Sequence, residues 1–171
     1  DLGIHGMVDD VKTPNLDQLA RDGVLCKDGY STAPQCCPSR AGVITGKYQQ
    51  RFGFQQNGQG PLPLDEKTIA DRMKAAGYRT GMVGKWHLGD CYPMRPQDQG
   101  FDQVLMHRGG GLAQPSEPLA NKRRYTDPIL FDESGEAVQT KGFCTDVYFD
   151  AAMEFIGEKH DGPFFVYLPT N

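Results

Sequence analysis

The sequence predicts an α/β fold on two observations. A helical pattern that stops at Gly77 passes directly into the apolar stretch Tyr78–Val83, the order of a helix–strand unit. A second helical pattern, Thr145–Ile156, precedes Phe164-Phe165-Val166-Tyr167-Leu168, a run with the composition of a strand buried on both faces. No apolar stretch approaches the roughly 20 residues of a membrane helix, so no membrane span is expected, and 171 residues suffice for one domain with a sizeable core.

The elements follow in order. Thr13 reads as an N-cap with Pro14 at the first helical position, Leu16, Leu19 and Ala20 on one face, and Gly23 at the stop. Val24–Tyr30 is a candidate strand or extended segment. Pro38 starts a short helix through about Thr45, with the cysteines just ahead of it. Asp65 is the expected cap of a helix over Glu66–Ala76, with Ile69, Ala70 and Met73 inward. From Leu88 to Gly142 periodicity disappears, apart from a hairpin-like turn at Asp132-Glu133-Ser134-Gly135 after Ile129-Leu130-Phe131. So long a loop-rich stretch reads as an active-site rim, with Tyr92, Arg95, His107 and Arg123 as candidate contacts. Thr145 is then the expected cap of a helix presenting Tyr148, Ala151, Ala152, Phe155 and Ile156 on one face.

Charge and cysteine content exclude several classes. Eighteen Lys and Arg stand against 22 Asp and Glu, a net charge of −4, so no basic field attracts nucleic acid. Lys122-Arg123-Arg124 is too short a run to change that and reads as a solvated loop. Five irregularly spaced cysteines do not form a disulfide framework, and a bridge between Cys36 and Cys37 would strain the backbone.

Chemistry concentrates in two clusters. In Cys36-Cys37-Pro38-Ser39-Arg40 a thiol stands at a helix start beside an arginine, an arrangement that lowers a thiol pKa and attracts anions. A cysteine-phosphatase loop needs about five residues between thiolate and arginine so that the backbone wraps the anion. Here only three intervene after Cys36 and two after Cys37, which rejects that class. The second cluster, Gly84-Lys85-Trp86-His87-Leu88-Gly89, places a cation and an imidazole at a strand end, where ligands collect in open α/β sheets. Lys85 and His87 alternate about Trp86 and so also fit the solvent face of an edge strand. His87 and Cys91 with Cys36 and Cys37 are zinc-ligand types, but adjacent cysteines rarely point at one tetrahedral ion.

Together the two clusters resemble the signatures of the type I, formylglycine-dependent sulfatases, arylsulfatases among them. Thr45-Gly46-Lys47 is similar to the tail of the first signature. Thr13-Pro14-Asn15-Leu16-Asp17, Gly77-Tyr78-Arg79-Thr80, Gly100-Phe101-Asp102 and Pro163-Phe164-Phe165 extend the likeness over essentially the whole chain. The resemblance implies an alkaline-phosphatase-like mixed sheet sandwiched by helices. Residues 1–171 would be a partial catalytic domain lacking the first strand and C-terminal half, with 88–142 as its rim.

What the resemblance implies about chemistry is specific. Cys36 is oxidised to formylglycine by a maturation enzyme, and the aldehyde hydrates to a geminal diol. One diol oxygen attacks sulfur and expels the alcohol. The other loses its proton, and C–O cleavage releases sulfate and restores the aldehyde. Arg40 holds the diol, Lys85 bonds sulfate and diol, and His87 orients the diol and takes its proton. Formylglycine at Cys36 also contacts a divalent cation, Ca2+, whose Asp and Asn ligands lie outside this chain. Asp1-Leu2-Gly3 and Asp9-Asp10 are not read as those ligands. The isolated chain is therefore expected to be inactive and to bind calcium weakly. Expected partners are a sulfated small molecule or polysaccharide, and the expected location is periplasmic or secreted. The alternatives are a phosphonate or phosphate monoester hydrolase of the same superfamily, or a non-catalytic binder of sulfated glycans.

Overall fold

The computed structural model describes residues 2–7, 10–122 and 124–170. Asp1, Asp9 and Arg123, all singled out above, lie outside the described residues. The chain divides into two units, Asp1–Ser31 and Thr32–Asn171.

In the first unit a 3-10 turn at Gly3–His5 precedes α1 (Pro14–Asp22), with proline in the first turn as the sequence predicts. Thr13 does not cap a helical N–H. Its hydroxyl donates to Asp17 Oδ1 at 2.7 Å and accepts from the Gly3 N–H at 2.8 Å, so Asp17 fastens the entering chain to the helix. The Ile4 N–H donates to the same carboxylate at 2.8 Å. Leu16 and Leu19 are exposed, and residues 24–30 form no strand and bend at 27–28.

The second unit is built on five strands, β1 (Arg79–Lys85), β2 (Gln103–His107), β3 (Ile129–Asp132), β4 (Ala137–Gln139) and β5 (Phe164–Tyr167). Their order is β4-β3-β2-β1-β5, with β1 parallel to both β2 and β5 and the β2–β3 and β3–β4 pairs antiparallel. Three helices join them: α2 (Cys36–Thr45), α3 (Ile69–Ala75) and α4 (Cys144–Gly157). Successive strand residues point to opposite faces. Met82 accordingly packs with Ile44 of α2, Ala70 of α3, Trp86 and Phe101, whereas Val83 packs with Leu130 and with Tyr148 and Ala152 of α4. The sheet is thus covered on both sides. Each large side chain taken out of water, Trp86, Phe101, Tyr148 and Phe155 among them, contributes about 1.5–3 kcal/mol.

Several expectations shift. Helix α2 starts at Cys36, two residues earlier than predicted, because Pro38 occupies a first-turn position whose N–H has no helical acceptor anyway. Helix α3 starts at Ile69 rather than Glu66. Thr68 and Asp71 form a capping box, the Thr68 hydroxyl accepting from the Asp71 N–H at 3.0 Å and Asp71 Oδ2 from the Thr68 N–H at 2.9 Å. Strand β1 runs to Lys85 instead of stopping at Val83. Segment 88–142 is not uniformly loop, since it contains β2, β3 and β4, the last two as the expected hairpin. On α4, Tyr148, Ala152 and Phe155 are buried, but Ile156 is 42% exposed, and Phe143 rather than Thr145 holds the cap position. Strand β5 is only half-buried, not buried on both faces, because it is the edge of the described sheet.

Candidate active site

The first turn of α2 carries both adjacent thiols. Gln35, the cap residue, makes no side-chain cap bond. That role falls to Asn57, about 20 residues on, whose Oδ1 accepts from the Cys37 N–H at 3.1 Å while its Nδ2 donates to Cys36 Sγ at 3.3 Å. The Asn57 N–H donates in turn to Gln35 Oε1 at 2.8 Å, which locks the loop onto the helix start. Cys36 is half-buried and Cys37 buried, and both thiols are free. Burial alone would raise the Cys36 pKa. The hydrogen bond from Asn57, the charge of Lys85 and nearby backbone N–H groups outweigh it and hold the thiol below its ordinary value. Cys37 moves the other way, pushed up to about 11 by burial and by the neighbouring Cys36.

Strand β1 delivers Lys85 from the middle of the sheet, between β2 and β5, so the alternative of a solvent-facing edge strand does not hold. The Lys85 side chain is buried, and its Nζ donates to the Gly110 carbonyl at 2.9 Å. Its backbone carbonyl accepts from Arg40 Nη1 at 2.8 Å, and the same guanidinium reaches Tyr167 Oη at 3.4 Å. Burial holds Lys85 below the usual lysine range; Cys36 opposes the shift and Arg40 adds to it. Gly84 lets β1 pass the chain beyond β5, since a Cβ there would stand 2.3 Å from the Pro169 carbonyl oxygen.

His87 completes the group in a left-handed backbone conformation, φ 60°, which turns the chain out of the strand. Its N–H donates to the Arg108 carbonyl at 2.9 Å. The ring packs on Gly110, where a Cβ would come within 2.6 Å of His87 Cε1, so a larger residue there would displace the imidazole. Its Nδ1 is buried without a hydrogen-bond partner. Burial, with Lys85 and Arg40 nearby, lowers the His87 pKa to about 4, so the ring is neutral at physiological pH. Ligand atoms of Cys36, Cys37 and His87 all lie within 4.8 Å of one another, and no other such His, Cys, Asp or Glu group occurs among the described residues.

The four predicted residues therefore converge from two segments some 45 positions apart. On one side Cys36, Arg40, Ser39 and Tyr167 line an open depression. On the other a cleft of about 390 Å³ is lined by Cys37, His87, Cys91, Arg108, Gln114 and Ser116. The predicted rim contacts fare differently. Tyr92 is exposed, Arg95 is paired with Asp98 at 2.8 Å, and His107 is wholly buried with its Nδ1 2.8 Å from Tyr148 Oη. His107 is a core residue and contacts no substrate.

Three further contributors carry no mark in the sequence. Asn57 reaches back across a Gln- and Gly-rich loop, and no local pattern marks that. Arg108 stands over the Phe131 ring at 3.4 Å, which places its charge in the cleft. Glu117 is buried, and its Oε1 accepts from the Gly109 N–H at 2.6 Å, which steadies the strip whose Gly110 carbonyl holds Lys85.

The buried histidines make stability depend on pH. Burial, followed by Lys85, Arg40 and His87, lowers the His107 pKa from 6.5 to about 3. A depressed histidine pKa means that the unfolded chain binds the proton first. The stabilisation is complete above the unfolded value and is lost as pH falls from about 6.5 toward 3, by up to about 1.4 kcal/mol per pH unit. Urea titrations at pH 7.0, 5.5 and 4.5 should show His107→Gln losing less stability across that range than the parent. Equal losses would mean that His107 does not titrate on unfolding.

The sheet brings a helix-start thiol, two cations and a neutral imidazole together between the open depression and the cleft, on a fold of the alkaline-phosphatase-like class. A family model described as Sulfatase matches residues 1–171, and the chain belongs to the sulfatase family. It is 33% identical over 192 residues to N-acetylgalactosamine-6-sulfatase of Mus musculus, covering 98% of this chain and 36% of that protein. The structure of Ps i-CgsB in complex with k-i-k-neocarrahexaose superposes with a TM-score of 0.83 at 32% identity, over 99% of this chain and 41% of the other. BT4656 in complex with its substrate D-glucosamine-2-N,6-O-disulfate gives a TM-score of 0.78 at 29% identity, over 98% and 30%. The chain thus spans well under half the length of these relatives.

Calcium fits poorly with the residues present. It takes hard oxygen ligands, whereas the group at Cys36 offers two sulfurs and a nitrogen, with no carboxylate joining it among the described residues.

Proposed function

We propose that the protein containing this chain hydrolyses sulfate esters of glycans with Cys36, oxidised to formylglycine, at the reacting centre. The observation that supports this most is the convergence of Cys36, Arg40, Lys85 and His87, with the Lys85 charge acting on the Cys36 thiol and Arg40 tethered to the Lys85 carbonyl. Formylglycine supplies a hydrated aldehyde as the nucleophile toward sulfur. The remaining roles belong to this chain's own side chains. Lys85, a compact charge held in a half-dry site, binds the sulfate oxygens and the charge that develops on them. Arg40 offsets a second negative charge on the same side.

His87 is neutral at physiological pH and has an unpartnered Nδ1, so it can accept a proton from the group on Cys36. A bound sulfate would partly cancel the charges of Lys85 and Arg40 that depress its pKa, making it a better base when substrate is present. The cleft beyond Cys37 receives the alcohol portion of the ester. Arg108, Gln114 and Ser116 offer it a cation and hydrogen-bonding groups suited to a polar sugar. Relatives that act on amino-sugar sulfates support a glycan substrate.

Mass spectrometry of the tryptic peptide Asp28–Arg40, from protein made beside its maturation system, tests the proposal. An aldehyde in place of one thiol, mapped to Cys36, is the expected result. Two intact thiols, in cells that mature a known sulfatase, would overturn it.

A further inference from the structure

The Cys36–Cys37–His87 group has a second property that ester hydrolysis does not use. Adjacent cysteines on a helix usually diverge, yet here both sulfurs and a ring nitrogen of His87 lie within 4.8 Å of one another. Both thiols are free, and His87 Nδ1 is buried with no hydrogen-bond partner. Tetrahedral zinc with bonds of about 2.3 Å to sulfur and 2.0–2.1 Å to nitrogen sets its ligand atoms about 3.4–3.8 Å apart. The group therefore needs to contract by only about 1 Å, within the reach of small side-chain rotations. The cleft lined by Cys37 and His87 gives an entry path and room for a water as fourth ligand. Two thiolates neutralise a divalent ion, and the adjacent ammonium of Lys85 stabilises the thiolates. Two sulfurs and a nitrogen select a borderline-soft ion over calcium or magnesium.

We propose that the chain with an unoxidised Cys36 binds one zinc-class ion through Cys36, Cys37 and His87, and that oxidation of Cys36 abolishes the site. The first half stands on this geometry alone; the second rests on the formylglycine reading above. Removing one sulfur leaves a single thiolate and an imidazole, too few to hold the ion.

Cobalt(II), a coloured stand-in for zinc, tests both halves in the full-length protein made without its maturation system. One equivalent should produce sulfur-to-cobalt charge transfer together with intense tetrahedral ligand-field bands, and zinc should bleach them. Cys37→Ser and His87→Ala should each weaken binding by at least about tenfold. Cys91→Ser, in the same cleft but outside the group, should leave the bands unchanged. Thermal melting of each variant shows that it is folded. Absence of the charge-transfer band, or its full persistence in folded Cys37→Ser, overturns the site. A sample shown by mass spectrometry to carry the aldehyde should give no band, and a band of full strength there overturns the second half. If no aldehyde ever forms, the formylglycine reading fails, while the thiol-form titration still decides the metal site.

Discussion

Cys36→Ala in the full-length protein is expected to reduce turnover of a sulfate ester by at least about 10⁴-fold, the scale seen when a reacting nucleophile is deleted. Stability should change by less than about 1 kcal/mol. Cys36 is half-buried at the start of α2, and its loss removes one weak hydrogen bond from Asn57 while the Asn57 contact to the Cys37 N–H survives. Steady-state rates paired with urea denaturation separate the two effects. Unchanged turnover would refute chemistry at Cys36. A parallel collapse of stability would assign the loss to folding instead.

Lys85→Ala is expected to lower kcat by about 10²–10³, the usual cost of removing one preorganised group from a developing oxyanion. Because Lys85 is buried and bonds the Gly110 carbonyl, the variant also leaves that acceptor unpaired, at about 1–3 kcal/mol of stability. Lys85→Met fills the same space without charge and should show the same loss of kcat. A variant whose KM rises while kcat holds would mean that Lys85 binds substrate and transition state equally, and does not act on the sulfuryl step.

Much of the fold is legible in the sequence because its signals are local. The α3–β1 unit, the β3–β4 hairpin and the apolar face of α4 all announce themselves within a dozen residues. Strand β2 does not. Gln103–His107 is short, lies between a 3-10 turn and a glycine-rich strip, and owes its place to parallel pairing with β1. Parallel pairing is long-range and leaves little periodic trace. The early start of α2 leaves no local signal, because its remote cap, Asn57, lies outside any window around Cys36.

The site divides along the same line. Cys36, Arg40, Lys85 and His87 sit in two dense motifs whose residue types suit the proposed chemistry. Asn57, Arg108 and Glu117 act through distances that only folding sets. His107 misled because a histidine in a loop-rich stretch looks like a surface ligand, whereas the partner that keeps it in the core, Tyr148, lies 41 positions away.

Both cations of the site are anchored to backbone: Lys85 to the Gly110 carbonyl and Arg40 to the carbonyl of Lys85. Every amino acid supplies a carbonyl, so these anchors survive replacement of the side chains around them. The residues lining the cleft can therefore vary without moving the two charges to which the proposed reaction assigns the sulfate. On the proposed reaction, selectivity is then open to change at the side chains of Arg108 and Ser116, whereas Gln114, whose Oε1 accepts from the Gly110 N–H at 2.7 Å, is tied to the anchor of Lys85.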